Sequence, residues 1–222
     1  MLRAHRAVEL FLSLGMAAGA AGGVLLSPAQ AGAQHLHTAE HGQLAAGGEG
    51  GEGGEGGEGG HAAEQATSLE EQLAVLAQMQ GHLLVAEELL NRGDTKGAEP
   101  HLGHPVDELY GALEPAIAKG QLPPFLDNLE ALRQQVRLDP NAAAMAQKLS
   151  EARRAIEAAN QKLSPNLSSQ PNLVVTVVRQ LALTAASEYE GAIDGLQISE
   201  TIEYQDARGF LLQADQIGRA HV

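Results

Sequence analysis

The strongest constraint on the fold is the helical spacing of apolar residues from Ser68 to the end of the chain. In the first such segment the leucines recur on one helix face, as Leu69, Leu73, Leu76, Leu83 and Leu90. Turn-forming residues break the pattern at five places, which are residues 93–94, 120–124, 139–140, 164–171 and 194–195. The pattern therefore predicts an all-α fold, an antiparallel helical bundle of about six helices. The expected helices cover residues 68–92, 95–119, 124–138, 140–163, 172–193 and 199–220.

Composition excludes several classes of function. The chain has no Cys, which rules out disulfides, iron–sulfur clusters and cysteine-based zinc sites. Its net charge is −14, and this argues against nucleic acid as a partner, because proteins that bind nucleic acid carry basic patches. No Gly-rich phosphate loop, nucleophile elbow or paired-carboxylate motif appears, so the chain is not expected to be an enzyme.

The N-terminal part of the chain predicts export. Residues 1–33 combine Arg3 and Arg6 with an apolar run over residues 10–26 and small residues around Ala31, as a secretory signal peptide does. An uncleaved membrane anchor is the alternative, because that run is close to spanning length. We therefore expect a periplasmic or secreted protein.

A low-complexity linker separates this signal from the helical part. Residues 34–66 contain histidines and a repeated Gly-Gly-Glu motif, and such a segment cannot bury enough apolar surface to fold. We expect a disordered linker over residues 34–66 and a helical bundle domain over residues 67–222.

One predicted helical hairpin carries a symmetric pair of histidines. Gly93 and Asp94 break two helical segments, with Asp94 as N-cap of the second. His82 lies eleven residues before Gly93, and His104 lies eleven residues after it. At 1.5 Å per residue both imidazoles would lie about 16 Å from the turn, at one level on facing helices.

Two further side chains extend this pair to a candidate metal site. His101, His104 and Glu108 are spaced i, i+3, i+7, which places them on one helix face. The predicted ligands are His82, His101, His104 and Glu108, for iron, copper or zinc. The alternative is structural: His82 shares its face with apolar residues, and Pro105 kinks the helix beside His104.

The last predicted hairpin resembles a known family. The pattern consists of a Tyr, an Ala-aliphatic pair, Asp-Gly, an aliphatic residue, Glu-Tyr and a Phe. The residues that match it are Tyr189, Ala192, Ile193, Asp194, Gly195, Ile198, Glu203, Tyr204 and Phe210. This pattern resembles the extracytoplasmic helical region of bacterial FTR1-type iron permeases. The permease's membrane helices and their Arg-Glu-x-x-Glu motif are absent from the sequence, so the chain is not expected to be a transmembrane transporter itself. The resemblance implies iron or other transition-metal handling outside the cytoplasm, with Glu188, Glu190, Glu203 and Tyr204 as further candidate ligands.

Two functions follow as hypotheses. The first is an exported protein that binds or handles a transition metal, accessory to iron uptake, with a metal ion and a membrane permease or another periplasmic protein as partners. The second is an interaction module that docks a protein partner through its helical surface, without metal.

Overall fold

The computed structural model describes residues 65–140 and 143–220. Within these ranges the chain forms seven α-helices: α1 (Leu69–Asn91), α2 (Thr95–His104), α3 (Tyr110–Ala118), α4 (Leu126–Leu138), α5 (Ala143–Leu163), α6 (Pro171–Ala192) and α7 (Thr201–Ala220). A π-helical turn, Pro105–Leu109, joins α2 to α3, and a short 3-10 turn, Leu167–Ser169, precedes α6. The all-α prediction is confirmed. The predicted signal peptide and nearly all of the predicted linker lie outside the described residues.

Near the start of the described residues, Ala66 already packs against the helical part of the chain. Ala66 is buried, and its backbone N–H donates to the carbonyl of Ala112 in α3. A capping box then starts α1: the Ser68 hydroxyl accepts from the backbone N–H of Glu71, whose carboxylate accepts from the N–H of Ser68. These bonds satisfy donors that the first helical turn leaves without partners.

Helix α1 is the central element, because it packs against α2, α5, α6 and α7. Leu76, Met79 and Leu83 belong to a core shared with α2 to α5. Leu73 and Ala77 belong to a second core shared with α6 and α7. Helix α1 therefore has apolar residues on most of its circumference, as expected for a helix buried between others.

The second predicted helix is interrupted at Pro105. Proline has no backbone N–H, so the regular bonding pattern fails there. The chain responds with a π turn, in which the N–H of Tyr110 donates to the carbonyl of Pro105. A π turn contains an extra residue, which rotates the following side chains around the axis relative to an uninterrupted α-helix. His104 and Glu108, on either side of Pro105, nevertheless lie close together, with 3.7 Å between Nε2 and Oε1.

The C-terminal hairpin consists of α6 and α7. Residues 173–178 favour strand by propensity, yet they form helix, with Leu173, Val174 and Val177 buried. Two short antiparallel strands, Ile193–Asp194 and Gln197–Ile198, close the turn between the helices. Gly195 adopts a φ of 63° in this turn, a conformation that favours glycine. Among the described residues no helix combines the length and the apolar character needed to cross a bilayer.

Candidate metal centre

Three helices meet at a group of four side chains suited to binding metal. His82 comes from α1, His101 and His104 come from α2, and Asp206 comes from α7. Each residue offers one ligand atom, and these atoms all lie within 4.8 Å of one another. Helices that are distant in sequence therefore deliver three imidazoles and one carboxylate to a single point.

The Asp206 carboxylate is the centre of this group. Its Oδ1 atom lies 2.6 Å from Nδ1 of His82 and 2.7 Å from Nδ1 of His101. Its Oδ2 atom lies 3.2 Å from Nδ1 of His104. This last contact is poorly aligned for a hydrogen bond, and the buried Nδ1 of His104 has no hydrogen-bond partner. A buried nitrogen in this state calls for an explanation, and a bound ion is one of them.

Two glycines explain why His82 and Asp206 meet. Helices α1 and α7 cross at Gly81 and Gly209, and a Cβ on Gly209 would lie 2.6 Å from the carbonyl oxygen of Gly81. Glycine at both positions lets the two backbones approach more closely than side chains allow. Gly81 immediately precedes His82, and Gly209 lies about one turn after Asp206. The crossing point therefore holds the imidazole and the carboxylate at contact distance.

The site is closed on one side and opens at His104. His82, His101 and Asp206 are only 2%, 0% and 4% exposed, whereas the His104 side chain is 20% exposed. The Phe210 ring packs edge-on against His82, with 4.9 Å between ring centroids. An ion from solvent would therefore reach the group past His104.

The carboxylate and the imidazoles stabilise each other's charge. Burial raises the pKa of Asp206, but the three neighbouring histidines lower it more, so the net pKa lies well below its usual range. Burial lowers the pKa of His104, but the adjacent Asp206, with Glu108 and Glu188, raises it more, and the net shift is upward. The site therefore favours positive charge next to an ionised carboxylate.

Further carboxylates surround the opening. Glu108 Oε1 lies 3.7 Å from Nε2 of His104. Burial together with the charges of Asp206, Glu108 and Glu203 raises the pKa of Glu188 to about 7, against a smaller opposing effect of His104. Several carboxyl groups thus lie near the opening, and the ionised ones among them attract cations.

The structure brings together three of the four ligands suggested by the sequence. His82, His101 and His104 converge, but Glu108 lies outside the group, because its side chain is 58% exposed and reaches only the outer nitrogen of His104. Asp206 occupies the position expected for Glu108. Sequence reasoning missed Asp206, although one signal was present: it lies four residues before the buried Phe210 on an apolar helix face.

The additional ligands implied by the family resemblance lie outside this site. Glu188 and Glu203 are partly buried, and Glu190 is exposed. Tyr204 is buried, with its ring 6.1 Å from that of Tyr189. None of the four belongs to the group of side chains around Asp206.

Comparison with known proteins links the C-terminal part of the chain to iron permeases. No curated protein and no solved structure matches the sequence. A family model, described as the iron permease-associated 4-helix bundle domain, matches residues 164–220. Asp206 lies within the matched residues, and the three histidines precede them. The C-terminal helices α6 and α7 thus resemble the helical domain associated with iron permeases, as the residue pattern of the last hairpin predicts.

Proposed function

We propose that this protein binds one divalent transition-metal ion through His82, His101, His104 and Asp206, and that it handles this ion for an iron permease. The observation that carries the proposal is the buried Asp206 carboxylate, which lies within 3.2 Å of three imidazole nitrogens. Facing helices of a bundle commonly supply such sites from side chains that project inward.

The donor set and its spacing fit a metal ion. Imidazole nitrogen and carboxylate oxygen suit divalent iron, zinc and copper. Bonds of about 2.0–2.2 Å in a tetrahedral site place neighbouring ligand atoms about 3.3 Å apart. The Nδ1 to Oδ distances of 2.6, 2.7 and 3.2 Å lie slightly below this value. Small side-chain movements would therefore convert the hydrogen-bonded group into a coordination shell.

The protons of the group must make way for the ion. An ionised carboxylate only accepts hydrogen bonds, so each Nδ1 that bonds to Asp206 must carry a proton, and such a nitrogen has no free lone pair for a metal. With three neutral imidazoles protonated on Nδ1 the group carries −1, and each doubly protonated imidazole adds +1. One divalent ion with three neutral imidazoles leaves +1 and uses all four groups. Binding should accordingly release protons.

The biological role follows from the context of the site. The iron permease-associated domain match makes a membrane permease the natural partner. We expect the predicted signal peptide to direct export, and outside the cytoplasm the acidic chain would attract cations. We propose that the ion is cargo, held for transfer, and that the protein performs no catalysis.

Calorimetric titration of the metal-free full chain with Zn²⁺, Cu²⁺ and, without oxygen, Fe²⁺ tests this function. The histidines of residues 34–64 could bind metal independently, so the background chain carries His35→Asn, His37→Asn, His41→Asn and His61→Asn. We expect one tightly bound ion per chain in this background.

Removal of a ligand should weaken that binding selectively. His104→Ala should lower the affinity at least tenfold, because His104 supplies one of four donors and lies at the opening. Glu114→Gln, at an exposed position on α3, is the matched control and should bind as the background does. Equal affinity in His104→Ala would reject the site. No binding by the background chain would favour the interaction-module hypothesis.

A further inference from the structure

The second ring nitrogen of His101 also has a defined partner. Nε2 of His101 lies 2.8 Å from Oε1 of Gln205, while Nδ1 of the same ring lies 2.7 Å from Oδ1 of Asp206. Gln205 and Asp206 are consecutive residues of α7, so adjacent side chains contact opposite edges of one imidazole. Among the described residues, no other histidine has a partner within hydrogen-bonding distance of each of its two ring nitrogens.

The chemistry of the Gln205 acceptor determines which nitrogen of His101 carries a proton. A carbonyl oxygen only accepts, so Nε2 of His101 must donate its proton to Gln205. A neutral imidazole with its proton on Nε2 has its lone pair on Nδ1. In the metal-free protein Nδ1 must also carry a proton to bond to Asp206, and loss of that proton leaves the Nδ1 lone pair facing Asp206, at the position of the proposed ion. His101 is 0% exposed, so water cannot readily replace the Gln205 acceptor.

We infer that Gln205 is a positioning residue for the metal site: it holds His101 in the Nε2–H tautomer, so that Nδ1 coordinates the ion. The inference rests on the proposed function, because it specifies how one ligand of that site is prepared. Histidines that bind metals generally donate their other N–H to an acceptor, and loss of that acceptor typically reduces affinity 10–100-fold.

Substitutions at Gln205 separate this role from packing. In the background chain, Gln205→Leu removes the acceptor and should weaken Zn²⁺ binding about 10–100-fold. Gln205→Glu retains an acceptor oxygen at the same distance and should bind at least as tightly as the background. Gln213→Leu, two turns further along α7 and similarly half-buried, is the control and should leave the affinity unchanged.

Nitrogen-15 NMR of the Zn²⁺-loaded background chain tests the same inference without a change at Gln205. The spectrum of His101 should show a protonated Nε2 and a metal-bound Nδ1. Coordination of His101 through Nε2, or unchanged affinity in Gln205→Leu, would overturn the inference. Either result is compatible with metal binding by the background chain, whereas the proposed function fails if the background chain itself binds no ion.

Discussion

Gly81 and Gly209 face each other where α1 crosses α7, so closely that the backbone of one occupies the space of a side chain on the other. The metal centre depends on this crossing, because His82 follows Gly81 and Asp206 precedes Gly209 by one turn. Gly81 and Gly209 therefore determine the distance between the His82 imidazole and the Asp206 carboxylate.

Gly209→Ala tests this relationship. The added Cβ would lie 2.6 Å from the carbonyl oxygen of Gly81 and 2.8 Å from Cγ2 of Val85, and the backbone atom cannot move aside cheaply. Alanine is favoured over glycine inside a helix by about 1 kcal/mol, but overpacking costs about 1–3 kcal/mol. We expect a net loss of up to about 2 kcal/mol in the free energy of unfolding, measured with urea, together with weaker metal binding.

Gly218→Ala on the same helix is the matched control. A Cβ at this position meets no atom within 4 Å, so only the helix propensity changes. We expect the Gly218→Ala protein to be more stable than the unmodified protein by roughly 0.5–1 kcal/mol. A Gly209→Ala protein as stable as the Gly218→Ala protein would show that the close crossing is not required.

Asp206→Asn should destabilise the metal-free protein in a pH-dependent manner. The folded-state pKa of Asp206 lies well below its unfolded value of 3.8, so its contribution is present above pH 3.8 and is lost as the pH falls through the folded value. At pH 7 we expect a loss of about 1–3 kcal/mol in unfolding free energy, because the buried histidines lose a charged partner.

Thermal and urea unfolding between pH 2.5 and pH 7 would measure this effect. The difference between Asp206→Asn and the unmodified protein should shrink toward acid pH. A difference that stays constant over this whole range would mean that the carboxylate charge is not the source of the stability.

Glu188→Gln should stabilise the metal-free protein at alkaline pH. The pKa of Glu188 is raised from 4.5 to about 7, mainly by burial and then by neighbouring carboxylates. A carboxyl group with a raised pKa contributes stability below pH 4.5 that is lost as the pH rises through 7. Gln cannot ionise, so the Glu188→Gln protein does not lose this stability as the pH rises.

After a discount for its partial exposure, we expect Glu188→Gln to gain about 1 kcal/mol at pH 8 and nothing at pH 4. Glu190→Gln, an exposed neighbour on α6, should change stability at neither pH. Urea titrations at the two pH values provide the comparison. Equal gains at both pH values would contradict the assigned role of the Glu188 charge.

The sequence was sufficient to predict the local features of the fold. Asp94 caps α2 through its carboxylate, which accepts from the backbone N–H of Gly97. The helix expected over residues 172–193 is also present, as α6 over Pro171–Ala192, although residues 173–178 favour strand by propensity. Spacing around the Asp94 turn also correctly brought His82 and His104 to one level.

Contacts between helices that are distant in sequence could not be predicted from local sequence patterns. Asp206 meets His82 across 124 residues, and no local pattern reports which helices will become neighbours. Glu108 contacts His104 with an exposed side chain and does not join the group, whose carboxylate comes from Asp206 on a different helix. The identity of the carboxylate in the site therefore depends on how the helices pack together.

Anomalous diffraction from crystals of the Zn²⁺-loaded protein, recorded on both sides of the zinc absorption edge, tests the central claim most directly. The account predicts one strong peak about 2.0–2.2 Å from Nδ1 of His82, His101 and His104 and from a carboxylate oxygen of Asp206. A loaded crystal in which these four side chains keep their metal-free contacts, with the zinc peak elsewhere, would contradict it.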